Sequence, residues 1–181
     1  MKKVCIISSS PRKNGNSQVL CQQFAKGAKE AGHEVEIIDV GHSYIKPCLG
    51  CEYCRKHQNE CFQKDVSQEI IDKMINADVW VLSTPVYFYS VSAQMKLLID
   101  RFFAREYEIR QSTKRKEVYY IVTSGNKDIE AGSTIESLRG FIKVLRNFDE
   151  KEIIDGCGAF EINDVYNHPS FEVAYKLGKE I

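Results

Sequence analysis

The sequence predicts an α/β protein, a three-layer doubly wound sheet of five parallel strands with helices on both faces. Three observations carry that prediction. Short apolar runs alternate five times with longer segments that are apolar every third or fourth residue. The run ADVWVLS at residues 77–83 is nearly continuous in apolar side chains, as a strand covered on both faces requires. With 181 residues and 43% apolar content, the chain suits one domain with a sizeable core.

Each element can be justified in order. VCIIS (4–8) is the first strand. Residues 17–31 form a helix with Leu20, Phe24, Gly27, Ala28 and Ala31 at helical spacing, and Gly32 suits its C-terminal end. EVEIIDV (34–40) is the second strand, followed by an irregular stretch, 41–64, that holds four of the seven cysteines. Asp65 can cap a helix over 66–76 whose inner face carries Val66, Ile70, Ile71, Met74 and Ile75. Strand three is 77–83. Ser92 then caps a helix running to 103, with Met95, Leu98, Ile99, Phe102 and Phe103 inward. EVYYIVT (117–123) is strand four, 135–148 a helix, 151–160 strand five and 170–181 the last helix. Such alternation implies parallel βαβ units with right-handed crossovers. Ligands of these sheets sit beyond the carboxyl ends of the strands, where strand order reverses. The informative loops are therefore those after strands one, three and four.

Charge and cysteine usage narrow the function classes. Twenty-five Lys and Arg balance twenty-five Asp and Glu, so no global field recruits nucleic acid or an anionic membrane. The dense basic cluster Lys114-Arg115-Lys116 reads as a solvated loop ahead of a strand. No run approaches the ~20 apolar residues of a membrane span. Met1-Lys2-Lys3 followed by four apolar residues is too short for a secretory signal, so a cytoplasmic location is expected. In that compartment seven cysteines argue for metal or redox chemistry over a disulfide framework.

The first loop is SSSPRKNGNS, Ser8 to Ser17. A helix N-terminus after a strand offers free N–H groups and a positive dipole end to an anion. Ser8, Ser9, Ser10, Asn16 and Ser17 add neutral donors, Arg12 adds a charged fork, and Asn14-Gly15 supplies a tight turn. Neither the dinucleotide fingerprint nor the P-loop pattern is present. Many hydroxyls and few glycines suit one terminal phosphate monoester better than a pyrophosphate. The second loop places Pro85, Val86, Tyr87, Phe88 and Tyr89 after strand three, aromatics for the wall of a flat ring and N–H groups around 86–88 for its heteroatoms. The third, TSGNKD (123–128), offers Ser124 and a glycine, Gly125, that allows close backbone approach. Phosphate chemistry beside aromatics points to FMN.

These two loops also carry a resemblance. SSSPRKNGNS resembles the phosphate loop G-S-P-R-x-x-G-N-[ST] of the NADPH-dependent FMN reductase branch of the flavodoxin-like superfamily, with Ser9 in place of the usual glycine. TPVYFYSVSAQMKLLIDR (84–101) resembles that family's flavin-ring loop and following helix, and the likeness runs over nearly the whole chain. It implies strand order 2-1-3-4-5, bound FMN, NAD(P)H as donor, and a homodimer or homotetramer. Carried over residue by residue, Ser10, Arg12, Asn16, Ser17 and Gln18 hold the phosphate. Pro85, Val86, Tyr87 and Phe88 take the ring, and Ser124 and Gly125 its other edge. The contact faces between copies would be the 92–101 helix and the 48–61 loop.

Cys48, Cys51, Cys54 and Cys61 give C-x2-C-x2-C-x6-C inside the cysteine-rich loop 43–64. Four thiolates so spaced suit a [4Fe–4S] cluster or zinc, and the same loop can also be held without metal. The spacing resembles the iron–sulfur flavoproteins of the same superfamily. Cys5, Cys21 and Cys157 read as small buried hydrophobes. His57 lies inside the loop but is not needed as a ligand; His33, His42 and His168 read as ordinary surface or loop residues. No triad or carboxylate pair argues for hydrolysis, and no catalytic side chain is assigned. The expected function is an NAD(P)H-dependent FMN oxidoreductase acting on a quinone, a flavin or another small acceptor. The alternative is an electron carrier working through FMN and a [4Fe–4S] cluster toward a redox-protein partner.

Overall fold

Five strands, β1 (Lys3–Ser8), β2 (Glu34–Asp39), β3 (Val79–Pro85), β4 (Lys116–Ser124) and β5 (Phe148–Cys157), pair in the order β2-β1-β3-β4-β5. Every pairing is parallel. The computed structural model describes residues 1–57, 59–127 and 131–181. Asp128, the end of the third loop, and Gln58, within the cysteine-rich loop, lie outside the described residues.

The strands build a two-sided core because alternate residues face opposite ways. Val4, Ile6, Val79, Val81, Tyr119 and Ile121 pack beneath α1 (Asn16–Glu30) and α7 (Ser170–Lys179), against Leu20, Phe24 and Ala174. Cys5, Ile7, Trp80, Leu82, Val118 and Tyr120 face the other layer, against Ile71, Met74, Met95, Leu98, Phe102 and Leu138. That layer comprises α3 (Ser67–Asn76), α4 (Ala93–Arg101) and α6 (Gly132–Leu145). Gly27 and Gly178 let α1 and α7 touch: a Cβ on Gly27 would lie 2.2 Å from Tyr175 O.

Several boundaries move from the sequence expectation. The 135–148 helix ends at Leu145, because Arg146 and Asn147 take positive φ of 61° and 53°. Phe148 therefore opens β5, and that strand ends at Cys157 rather than at 160. Two short helices were not anticipated: α2 (Tyr53–Lys56) inside the cysteine-rich loop and α5 (Glu106–Gln111) after a 3-10 turn, Phe102–Ala104. Asp65 does reach the first turn of α3, accepting the Ser67 N–H at 2.9 Å. Ser92 caps α4 by accepting the Met95 N–H at 3.2 Å.

The basic cluster is corrected at one residue. Lys116 is buried, and its ammonium donates to Ile75 O at 2.7 Å and to Ala77 O. A cation held at the carbonyl end of α3 complements the helix dipole, so Lys116 is a structural pin. Burial lowers its pKa. Its neighbours Lys114 and Arg115 stay exposed and pair with Asp78 and Asp149.

Candidate functional site

Strand order reverses between β1 and β3, and at their carboxyl ends the three loops meet. Ser10, Arg12, Gly15, Asn16, Ser17, Pro85, Val86, Tyr87, Thr123, Ser124 and Gly125 line one cavity of about 230 Å3, together with Ala159 and Phe160. The floor beneath it is a buried hydroxyl network. Ser9 Oγ donates to Ser83 O at 2.8 Å. Ser92 Oγ reaches Ser9 O and Ser9 Oγ, both at 3.0 Å, and Ser92 N–H donates to Thr84 Oγ1 at 2.9 Å. The serine that stands where the resembling motif has glycine thus joins the first loop to the second.

The loop after β1 presents a donor set suited to an anion. The N-cap of α1 is Gly15, which makes no side-chain cap bond, and its first turn holds no acidic residue, although Asn16 and Ser17 there are buried. A helix start of this kind leaves its first N–H groups without intrahelical partners. Ser10 is buried and Arg12 exposed, with Arg12 N–H donating to Ser10 Oγ at 3.2 Å. Hydroxyls, free amides and one guanidinium fit a phosphate monoester.

Five site residues behave differently from the sequence expectation. The Asn16 amide is taken by the segment after β5: Nδ2 donates to Ala159 O at 3.0 Å and Glu161 O at 2.8 Å, and Oδ1 accepts from Val165 N–H at 3.4 Å. Gln18 does not line the cavity; its Oε1 accepts the Asn14 N–H at 2.9 Å and closes the turn, where Asn14 has a φ of 55°. Phe88 does not line it either. Phe88 and Tyr89 have positive φ and form the tip of a tight turn closed by mutual Tyr87–Ser90 bonds, leaving Phe88 fully exposed. Val86 N–H donates to Thr123 O at 2.8 Å and Tyr87 N–H to Ser90 O at 2.9 Å, so neither amide is free for a ring heteroatom.

Phe160 and Ala159 are the lining residues that the sequence reading missed. The signal was the aromatic that follows β5 at the same carboxyl edge, in a segment assigned to the strand itself. Phe160 O accepts from Arg12 Nη1 at 2.8 Å, and a Cβ on Gly125 would lie 2.2 Å from Phe160 Cδ2. Ser124 Oγ turns inward to Asn126 O at 2.7 Å and shapes the third loop.

A second, much smaller cavity, about 20 Å3, is lined by Cys48, Cys51, Cys54 and Cys61 with Arg101, Phe103 and Tyr53. All seven cysteines are free, with Cys48 and Cys51 exposed. Burial is the main cause that raises the Cys54 thiol pKa. The loop packs on itself: Tyr53 stacks on His57 with ring centres 3.8 Å apart, and Arg55 lies over the Phe103 ring at 5.1 Å. Among the described residues, no group of three or more His, Cys, Asp or Glu side chains is already gathered to hold a metal ion. The donor set suits iron–sulfur or zinc chemically, and the loop must close further to ligate either. Cys5 and Cys21 are buried as expected, whereas Cys157 is half-buried.

Comparison with known proteins follows the same lines. The NADPH-dependent FMN reductase family matches over residues 2–145. An iron–sulfur flavoprotein of Methanocaldococcus jannaschii is 34% identical over 78% of this chain and 72% of its own length. An iron–sulfur flavoprotein of Archaeoglobus fulgidus is 39% identical over 68% of this chain and 59% of its own length. Among solved structures, an NAD(P)H:quinone oxidoreductase from Methanothermobacter marburgensis superposes with a TM-score of 0.74 at 20% identity, covering 99% of this chain and 95% of the other. At that identity the likeness establishes the fold.

Proposed function

Since the chain belongs to the NADPH-dependent FMN reductase family, it is an NAD(P)H-dependent FMN oxidoreductase, and we propose that its reaction runs in the crevice between the loops after β1, β3 and β4. The observation that carries this reading is the meeting of those three loops in one cavity over an uncapped helix start. FMN, when bound, supplies a ring that takes up hydride from NAD(P)H and returns electrons to an acceptor. The chain's residues bind and orient. Ser10, Ser17, Arg12 and the first amides of α1 hold the phosphate. Pro85, Val86 and Tyr87 support the ring, and Ser124 and Gly125 border its other edge. Asn16 acts by fixing the segment after β5, and Gln18 by holding the turn. Phe88 stands at the rim, where it meets the acceptor or a second copy.

The acceptor is a small molecule such as a quinone or a flavin. Free thiols throughout support a cytoplasmic location. No helix among the described residues is long and apolar enough to cross a membrane. A homodimer or homotetramer is supported by the apolar groove of about 350 Å3 between α4 and α6, where Ile99, Phe103, Phe141 and Val144 lie. The test is FMN titration followed by NAD(P)H oxidation with a quinone. A protein that neither binds FMN nor oxidises NAD(P)H would overturn the reading.

One observation favours a second reading, an electron carrier through FMN and a [4Fe–4S] cluster: the four loop cysteines line one cavity at the end of the helix that starts from the ring loop. Purification without oxygen, with iron and sulfide assays, decides it. About four irons per chain support the cluster, and none leaves the cysteines to zinc or to the loop alone.

A further inference from the structure

We infer that Phe160 is a flavin-contacting residue, its ring forming the wall at the Gly125 edge of the crevice, on a strap that the phosphate loop itself holds in place. The inference rests on the crevice reading above and adds to it a residue outside the family match, which ends at residue 145.

The strap is pinned from both sides. Phe160 N–H donates to Asp164 Oδ2 at 3.0 Å, and its carbonyl accepts from Arg12 Nη1 at 2.8 Å. On either side, Ala159 O and Glu161 O accept from the Asn16 amide. Two phosphate-loop residues thus spend side-chain donors on three consecutive carbonyls. The fixed backbone sets the point from which the ring projects, and the side chain is 61% exposed and so open to a ligand. It covers Gly125, the one residue type that leaves room for it, since any Cβ there would collide with Cδ2. An apolar ring held at the rim of a cavity that also contains Tyr87 offers a flat surface to a flat ligand.

The arrangement separates two contributions. Arg12 holds the strap through a carbonyl, so removing the Phe160 ring leaves the Arg12 contact and the phosphate donors intact. Phe160→Ala should therefore weaken FMN and riboflavin by the same factor, about tenfold, as loss of a stacked aromatic does. Phe160→Tyr should restore both affinities and the visible circular dichroism of the bound flavin.

The experiment is fluorescence titration of the full chain and both variants with FMN and with riboflavin. An FMN affinity for Phe160→Ala within twofold of the unaltered protein overturns the inference. So does a loss confined to FMN, which would mean that the ring acts only through Arg12. If the unaltered protein fails to bind FMN, the crevice reading itself falls and this inference with it. Normal binding with an indifferent Phe160→Ala overturns the inference alone.

Discussion

Arg101 and Asp65 form an ion pair 2.5 Å long in which the side chains are only 1% and 3% exposed. Arg101 ends α4 and Asp65 precedes α3, so the pair closes the cysteine-rich loop at its base. The guanidinium also donates to Lys46 O at 2.9 Å, Gln63 O at 3.0 Å and Cys61 Sγ at 3.3 Å. Asp65 in turn accepts the N–H groups of Lys46 and Ser67. Both ends of the loop therefore meet on two residues.

Breaking this pair should be costly. Asp65→Asn leaves the guanidinium buried without a counter-charge, and such losses cost about 3–5 kcal/mol. Urea unfolding should show a lower midpoint. The pH dependence has a definite sign. Burial alone would raise the Asp65 pKa, but the N–H groups and Arg101 outweigh it and hold the carboxyl at about 2. A depressed folded-state value stabilises above the unfolded value near 4 and is lost as pH falls toward 2. The contribution is about 2 kcal/mol. Stability measured from pH 6 down to pH 2 should decline less steeply in Asp65→Asn than in the unaltered protein.

The hydroxyl network under the crevice makes a second prediction. Ser92 caps α4 and also bonds Ser9, so Ser92→Ala removes a cap and a buried bridge together. The expected cost is about 1–2 kcal/mol, read as a lower Tm. FMN affinity should fall with it, because Ser9 and Ser92 join the phosphate loop to the ring loop. A Tm change with unaltered FMN affinity would show that the two loops are held together by other contacts.

Much of this molecule could be read from its sequence. Alternating apolar runs located the sheet because a strand buried on both faces leaves a dense local mark, and Ser92 and Asp65 could be read as helix starts. What escaped reading depends on distant residues. Lys116 looks solvated until the end of α3, some forty positions earlier, supplies its carbonyls. Asn16 looks like an anion ligand until residues 159–161 take its amide. Phe160 looks like the end of a strand because nothing nearby reveals that Arg146 and Asn147 start that strand early.

Arg12 should separate phosphate from ring binding, where Phe160 affects both ligands alike. Arg12→Ala removes a guanidinium that holds Phe160 O and that we propose also serves the phosphate. FMN affinity should drop by about tenfold or more, as the loss of a charge-assisted bond implies, while riboflavin loses less. Titration with both ligands measures the ratio. Equal losses would place Arg12 in the strap alone and return the phosphate to Ser10, Ser17 and the α1 amides.

The cysteines give a prediction that bears directly on the cluster. Burial pushes the thiols of Cys5 and Cys21 up to about 12, and mainly burial brings Cys157 to about 11. At pH 8 the thiolate fraction of the first two is on the order of 10⁻⁴, so alkylation should leave them untouched in the native fold. Cys48 and Cys51, exposed on the loop, should react first, and Cys54 more slowly because burial raises its pKa as well. Mass spectrometry of iodoacetamide-treated protein reads the order. The same experiment on protein purified without oxygen separates the two functional readings. Four ligated thiolates are shielded by iron, so Cys48, Cys51, Cys54 and Cys61 should all survive alkylation until a chelator and oxidant strip the metal. Rapid labelling of Cys48 and Cys51 in that sample would mean that the loop carries no cluster, and electrons would then leave the flavin directly for a small acceptor.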